Sequence, residues 1–217
     1  MLGLRLAAGR ETPVQALFLG AHCDDIEIGC GGTILTLAGL YPNLSVHWIV
    51  LSATDERARE AERSAGRFLA GVRSQELVVE RFRDGYFPYD GARVKDCFEG
   101  LKARLAPDVV FTHYRDDWHQ DHRLVCELTW NTFRDHLILE YEIPKYDPET
   151  SSPNLFVPLD SAVAEAKVGH LLEAYPSQAA KPWFTRDTFL ATMRLRGVQA
   201  RAPQYAEAFH VRKVVLG

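Results

Sequence analysis

This sequence has no apolar run approaching the roughly 20 residues that a membrane-spanning helix requires. Met1 to Pro13 also lack the long apolar segment of a signal peptide. Positive charge is modest too: 25 Lys and Arg stand against 29 Asp and Glu, the formal charge is −4, and the basic residues are scattered. No basic field therefore points to nucleic acid. Cysteine is scarce, with Cys23, Cys30, Cys97 and Cys126 at no framework spacing, and without an export signal these thiols are expected to be reduced. Repeats and low-complexity tracts are lacking. These absences leave a cytoplasmic globular protein as the expectation, and 217 residues, 47% of them hydrophobic, suffice for one full core. A single domain is expected over 1–217.

Strand-like and helix-like segments alternate along the chain. Ala16–Gly20 and Val46–Leu51 read as buried strands, short and rich in branched apolar residues. Between them Gly31–Ala38 reads as a helix opened by glycines. Thr54–Leu69 carries apolar residues at helical spacing, and Glu76–Glu80 resembles a third strand. Val94–Leu105 reads as a helix ending before Pro107, followed by a strand at Asp108–Thr112. Leu124–Phe133 is predicted helical and Leu137–Ile143 a further strand. Tyr146–Pro158, with three prolines, reads as an irregular excursion and a candidate loop over the site. The alternation predicts an α/β fold, Rossmann-like and three-layered (α/β/α), with a mainly parallel sheet and right-handed crossovers. In such sheets the site lies at the carboxyl ends of the strands.

Both chemistry-bearing clusters fall at such ends. The first strand delivers Ala21-His22-Cys23-Asp24-Asp25, and Asp108–Thr112 delivers a run from His113 to His122 that contains His119-Gln120-Asp121-His122. A catalytic zinc commonly takes three His or carboxylate ligands and keeps a position for water. His22 and Asp25, with a histidine from the second cluster, supply such a set. Asp24 is then left free as general base. His119 and His122, three residues apart, project to one side of a helix start. One can bind metal while the other faces substrate, and Asp121 can orient an imidazole. His113 and Asp117 are further candidates. Each cluster alone reads equally well as a capped turn or a solvated helix start; their joint occurrence after two strands favours a metal site. Gly29-Cys30-Gly31-Gly32 lacks the third glycine of a dinucleotide fingerprint and the lysine of a P-loop, so close helix–strand packing explains it better. A small side chain filling a turn is the favoured reading of Cys23.

With these residues in view, the sequence resembles the PIG-L/LmbE-like zinc-dependent N-deacetylases, which share an Ala-His-Pro-Asp-Asp loop, a following Gly-Gly and a later His-x-Asp-His. Here these are Ala21–Asp25, Gly31-Gly32 and His119–His122. Weaker echoes occur at Arg59-Glu60-Ala61, at Lys167 ahead of Ser177-Gln178, and at Ala206–Phe209. The resemblance implies a Rossmann-like fold and hydrolysis of an N-acetyl group from an amino sugar or its conjugate. It further implies His22, Asp25 and His122 as Zn2+ ligands, Asp24 as general base, His119 as general acid or oxyanion partner with Asp121 as its orienting carboxylate, and Arg59 as a substrate contact. Cys23 stands where the family usually has proline. Asp117 occupies a position where some relatives carry tyrosine.

Several alternatives stay open at this stage. Fe2+ accepts the same ligands. An amidase or deformylase acting on a non-sugar conjugate uses the same centre, and a non-catalytic metal- or ligand-binding module shares the fold. Trp118, Tyr86, Phe87 and Tyr89 form either a sugar platform or core and lid. The expected partner is a small N-acetylated molecule, with no nucleic acid and no membrane span; a homo-oligomer is compatible with the sequence.

Overall fold

The computed structural model describes residues 3–202 and 204–215. The single domain expected over 1–217 includes five residues outside that description: 1, 2, 203, 216 and 217. The described chain runs β1 (Val14–His22), α1 (Asp25–Leu40), β2 (Leu44–Ser52), α2 (Asp55–Phe68), β3 (Ser74–Val79), α3 (Gly91–Arg104), β4 (Val109–His113), α4 (Gln120–Thr132), β5 (Leu137–Tyr141), β6 (Leu155–Leu159), α5 (Ser161–Ala174), α6 (Arg186–Ala200) and β7 (Tyr205–Val211). Short 3-10 turns at Phe87–Tyr89 and Pro176–Gln178 complete it.

The strands form one seven-stranded sheet in the order β3-β2-β1-β4-β5-β7-β6. β1 to β5 run parallel, and β7 runs antiparallel to both of its neighbours. The α/β/α expectation is met. β1 is nearly all apolar because helices cover both of its faces. Ala16 and Phe18 enter the core beneath α1, α2, α5 and α6, while Leu17 and Leu19 enter the opposite core beneath α3 and α4. The chain builds β1, β2 and β3 outward, then returns to place β4 on the other side of β1. The crevice between the carboxyl ends of β1 and β4 is thus the topological switch point, where ligands of such sheets bind. Among the described residues no helix is long and apolar enough to cross a membrane.

Three expectations need correcting. Helix α1 begins at Asp25, and the glycines sit inside it. A Cβ at Gly29 would lie 2.3 Å from Tyr141 Cδ2, and one at Gly32 would lie 2.5 Å from Leu159 Cδ1. The helix accepts glycine's propensity cost of ~1 kcal/mol per residue because its backbone must approach the sheet closely. Likewise α4 starts four residues before Leu124, with His119 as its N-cap. Finally, the 146–158 excursion ends in a strand, β6, which pairs with β7 at the sheet edge. Pro158 fits there because an edge strand can spare a backbone donor. Beyond Ile143 the sequence reading places no elements, whereas the structure has β6, α5, α6 and β7.

Candidate metal centre

β1 ends on His22, and the chain then turns sharply into α1. Cys23 is buried, with its Sγ donating to the Ser52 carbonyl oxygen at 3.6 Å. Burial pushes its thiol up to about 12, so it stays neutral and fills the turn. Asp24 adopts φ 89°, a left-handed conformation that Asp tolerates better than most residues. After that kink the two adjacent carboxylates separate. The Asp25 carboxylate accepts from the His22 amide at 2.7 Å and faces histidines, whereas Asp24 turns toward α2 and pairs with Arg57 at 3.1 Å.

β4 delivers the second cluster. The His119 side chain caps α4 by accepting from the Asp121 amide at 3.2 Å through Nδ1, and His122 lies in the first turn. The outcome is a triangle of donor atoms. His22 Nδ1 lies 3.2 Å from His122 Nε2 and 3.5 Å from Asp25 Oδ2, and His122 Nε2 lies 3.5 Å from Asp25 Oδ2. A tetrahedral zinc with ligands at about 2.0–2.1 Å sets its ligand atoms about 3.3 Å apart. The donor set therefore fits such an ion in both chemistry and spacing.

Each histidine of the triangle is backed by a carboxylate. His22 Nε2 lies 3.2 Å from Asp121 Oδ2, and His122 Nδ1 lies 3.0 Å from Asp117 Oδ2. A hydrogen bond behind the ring fixes which nitrogen keeps its lone pair, here the one facing the triangle. His113 Nε2 lies 3.2 Å from Asp25, making Asp25, His113 and His122 a rival cluster. However, His113 Nε2 accepts from the Ala21 amide at 2.9 Å, which occupies the lone pair a metal needs. His113 instead stacks on His122 with centroids 3.9 Å apart. Two further groupings bring in His119: His22 with His119 and His122, and His22 with Asp84, His119 and Asp121 on the outer side. There Asp84, largely exposed, lies 3.0 Å from His22 Nε2.

Electrostatics separates the acids further. Burial raises the Asp24 carboxyl to about 7; Asp25 and Glu27 push the same way, and Arg57 opposes them. Asp25 is held well below the usual carboxylate range, because His122 and His113 outweigh its burial. Asp117 is also held low: burial works against this, but the hydrogen bond from His122 and the Lys145 ammonium, 2.6 Å away, prevail.

Two expected roles change. Asp121 does not place its carboxylate on His119. It faces His22 and accepts from the amides of Gly85 (2.7 Å) and Phe87 (3.1 Å), so only its backbone serves His119. Arg59 is exposed and off the buried stripe of α2, formed by Ala58, Ala61, Ala65 and Phe68. Arg57, two residues earlier, is the arginine that reaches the centre. Its guanidinium binds Asp24, the Cys23 carbonyl, Glu60 and Ser177, and lies 4.8 Å from the Tyr175 ring centre. Asp84 and Lys145 give no motif signal in the sequence; an i, i+3 Arg57–Glu60 pair on an amphipathic helix is the available hint. Of the aromatic candidates, Phe87 is core, while Tyr86, Tyr89 and Trp118 are exposed.

Residues 17–133 match the PIG-L family model, described as GlcNAc-PI de-N-acetylase, and the chain belongs to this family. Similar solved structures span nearly the whole chain. A conserved protein of Thermus thermophilus superposes with TM-score 0.75 at 23% identity, covering 94% of this chain and 97% of its own. N,N'-diacetylchitobiose deacetylase from Pyrococcus horikoshii superposes with TM-score 0.73 at 20% identity over 95% and 88%. 4-Carboxy-2-hydroxymuconate hydratase from Pseudomonas putida KT2440 superposes with TM-score 0.74 at 18% identity over 94% and 99%. At these identities the likeness concerns the fold. Among curated sequences, ribosomal RNA large subunit methyltransferase G of Shewanella sp. (strain MR-4) is 26% identical over 133 residues, 60% of this chain. The chain spans only 30% of that relative's length.

Proposed function

We propose that this chain is a metal-dependent hydrolase that removes an N-acetyl group from an amino sugar or amino-sugar conjugate. In this reading His22, Asp25 and His122 hold the metal and Asp24 is the general base. The observation that carries it is the convergence of three donor atoms within 3.2–3.5 Å of one another, beside a buried carboxylate that takes no part in the triangle. Zinc suits this nitrogen and oxygen set, and Fe2+ accepts it too.

A divalent ion seated there supplies Lewis-acid polarisation of the acyl oxygen and a water acidified toward neutrality. The remaining work falls to the chain. Asp24, buried and outside the ligand triangle, is the carboxylate left to take a proton from the attacking water. The water oxygen bonds to the acyl carbon, the C–N bond breaks, and the nitrogen departs after accepting a proton. His119 has its Nδ1 engaged by the Asp121 amide, so its proton sits on Nε2, ready to donate to the oxyanion or the departing nitrogen. Asp117 and Asp121 hold the two ligand imidazoles in register.

A panel of N-acetylated amino sugars, free and conjugated, tests this by release of a primary amine. Metal-loaded protein is expected to release amine, and chelator-treated protein is expected not to. No release from any member by protein of verified metal content contradicts the reading.

A further inference from the structure

Two of the weaker motif echoes, Arg59-Glu60-Ala61 and Ser177-Gln178, have no part in the proposed reaction, yet Glu60 and Ser177 meet in the structure. Glu60 is 1% exposed and sits in a stripe of α2 otherwise built of small or apolar side chains, Ala58, Ala61, Ser64, Ala65 and Phe68. A carboxylate buried there is costly, and even a good ion pair can fail to repay its desolvation. Packing therefore gives no reason for an acid at this position. Its partners do. Oε1 accepts from the Ser177 amide at 3.0 Å, while Oε2 accepts from the Ser177 hydroxyl at 2.6 Å and from Arg57 Nη1 at 3.0 Å.

Arg57 Nη1 also donates to the Ser177 hydroxyl oxygen at 3.0 Å. Nη2 points the other way, to Asp24 Oδ2 at 3.1 Å and to the Cys23 carbonyl oxygen. One edge of the guanidinium thus rests on Glu60 and Ser177 and the other on the Asp24 turn, with the Tyr175 ring centre 4.8 Å away. Arginine is long and flexible, and its planar fork keeps one direction when both edges are engaged. A guanidinium held by Asp24 alone would move with it. Anchored on Glu60 and Ser177, it is a fixed point against which the Asp24 carboxylate is set.

We propose that Glu60 and Ser177 are positioning residues: they fix Arg57, and through it the Asp24 carboxylate, so that the turn after α5 completes a centre built at the ends of β1 and β4. The proposal rests on the deacetylase reading, in which Asp24 is the base. Ser177 lies beyond residues 17–133, so the centre draws on a part of the chain outside the family match.

Steady-state amine release from N-acetylglucosamine and its conjugates by the zinc-loaded whole chain tests it. Glu60→Gln, nearly isosteric, is expected to lower kcat about tenfold or more while KM and bound zinc stay within about twofold of the parent. Ser177→Ala, at an exposed turn position that puts little of the core at risk, is expected to lower kcat about threefold with the same constancy of KM. In an Arg57→Ala background each substitution is expected to cost less than about twofold, because the residue it acts through is gone. A purely structural role for Glu60 or Ser177 would persist in that background. Undiminished costs there, effects confined to KM, loss of zinc, or unchanged kcat in both single variants overturns the proposal. A crystal structure of the Glu60→Gln/Ser177→Ala double variant gives a readout that needs no turnover. The Arg57–Asp24 contact is expected to open beyond about 3.5 Å with the ligand triangle intact, and a contact kept at its parental length overturns the proposal. If the parent releases amine from none of the probes, the deacetylase reading falls and the crystal structure decides the positioning. Release with an unmoved Arg57 overturns the positioning alone.

Discussion

Asp24 and Asp25 are neighbours in sequence with different surroundings, and one backbone angle separates them. With φ at 89°, Asp24 faces Arg57 while Asp25 faces three imidazoles. Arg57 and Arg59 diverge for an equally local reason, since only Arg57 lies beside the buried stripe of α2. Arg57→Ala is expected to lower kcat/KM for amine release by about tenfold or more, by leaving a buried carboxylate without its cation. Arg59→Ala is expected to alter stability by less than about 0.5 kcal/mol and activity little; steady-state kinetics and thermal unfolding of the pair check this. Asp117→Asn removes the carboxylate behind His122, and metal affinity should fall by about 10–100-fold in a chelator competition. Because the Asp117 carboxyl lies below its ordinary value in the folded state, its contribution to stability is present above about pH 3.9 and fades as pH falls below it. The Asn variant should therefore lose less stability on acidification than the parent, as followed by thermal unfolding across that range.

At the scale of elements, α1 is the piece whose sequence is most at odds with its conformation. Its glycines argue for a helix starting late, yet they sit inside a helix that starts at Asp25, and they are glycines because Tyr141, Phe68 and Leu159 lie where their Cβ atoms would be. Gly29→Ala is therefore expected to destabilise by about 1–3 kcal/mol, through overpacking against Tyr141, in chemical denaturation. A buried clasp holds the same helix: Glu207 accepts from the amides of Gly32 (2.8 Å) and Thr33 (2.6 Å) and pairs with Lys167 (2.6 Å). Contacts of this kind lie beyond what local pattern reveals. Strands β1, β2, β4 and β5 are legible because each holds a short apolar run, β3 only from its Leu77-Val78-Val79 end, and the His22–Asp25 and His119–His122 motifs are legible because each closely follows such a run. α5 is harder to see because Lys167 sits in its buried stripe, neutralised by a residue 40 positions away. The partner of Asp121 is hidden because three polar neighbours in one helical turn look interchangeable until packing decides which ring each one faces.

At the scale of the molecule, the fold's contribution is the crevice where β1 and β4 diverge into opposite halves of the sheet. Neither motif can close a ligand triangle by itself, and His22 and His122 meet across 100 residues only because the two strands are adjacent. An ion that binds the folded triangle and not the unfolded chain should stabilise the whole protein by about 2.7 kcal/mol at 100 times its Kd, seen as a concentration-dependent rise in Tm. That rise should shrink below neutral pH as protons compete for the histidines. The division of labour at the centre is tested most directly by metal content and amine release measured together on Asp24→Asn. A full complement of bound metal is expected, with turnover reduced by about 10²–10⁴-fold, the range for loss of a general base. Turnover equal to that of the parent protein, or loss of the metal along with the activity, would contradict it.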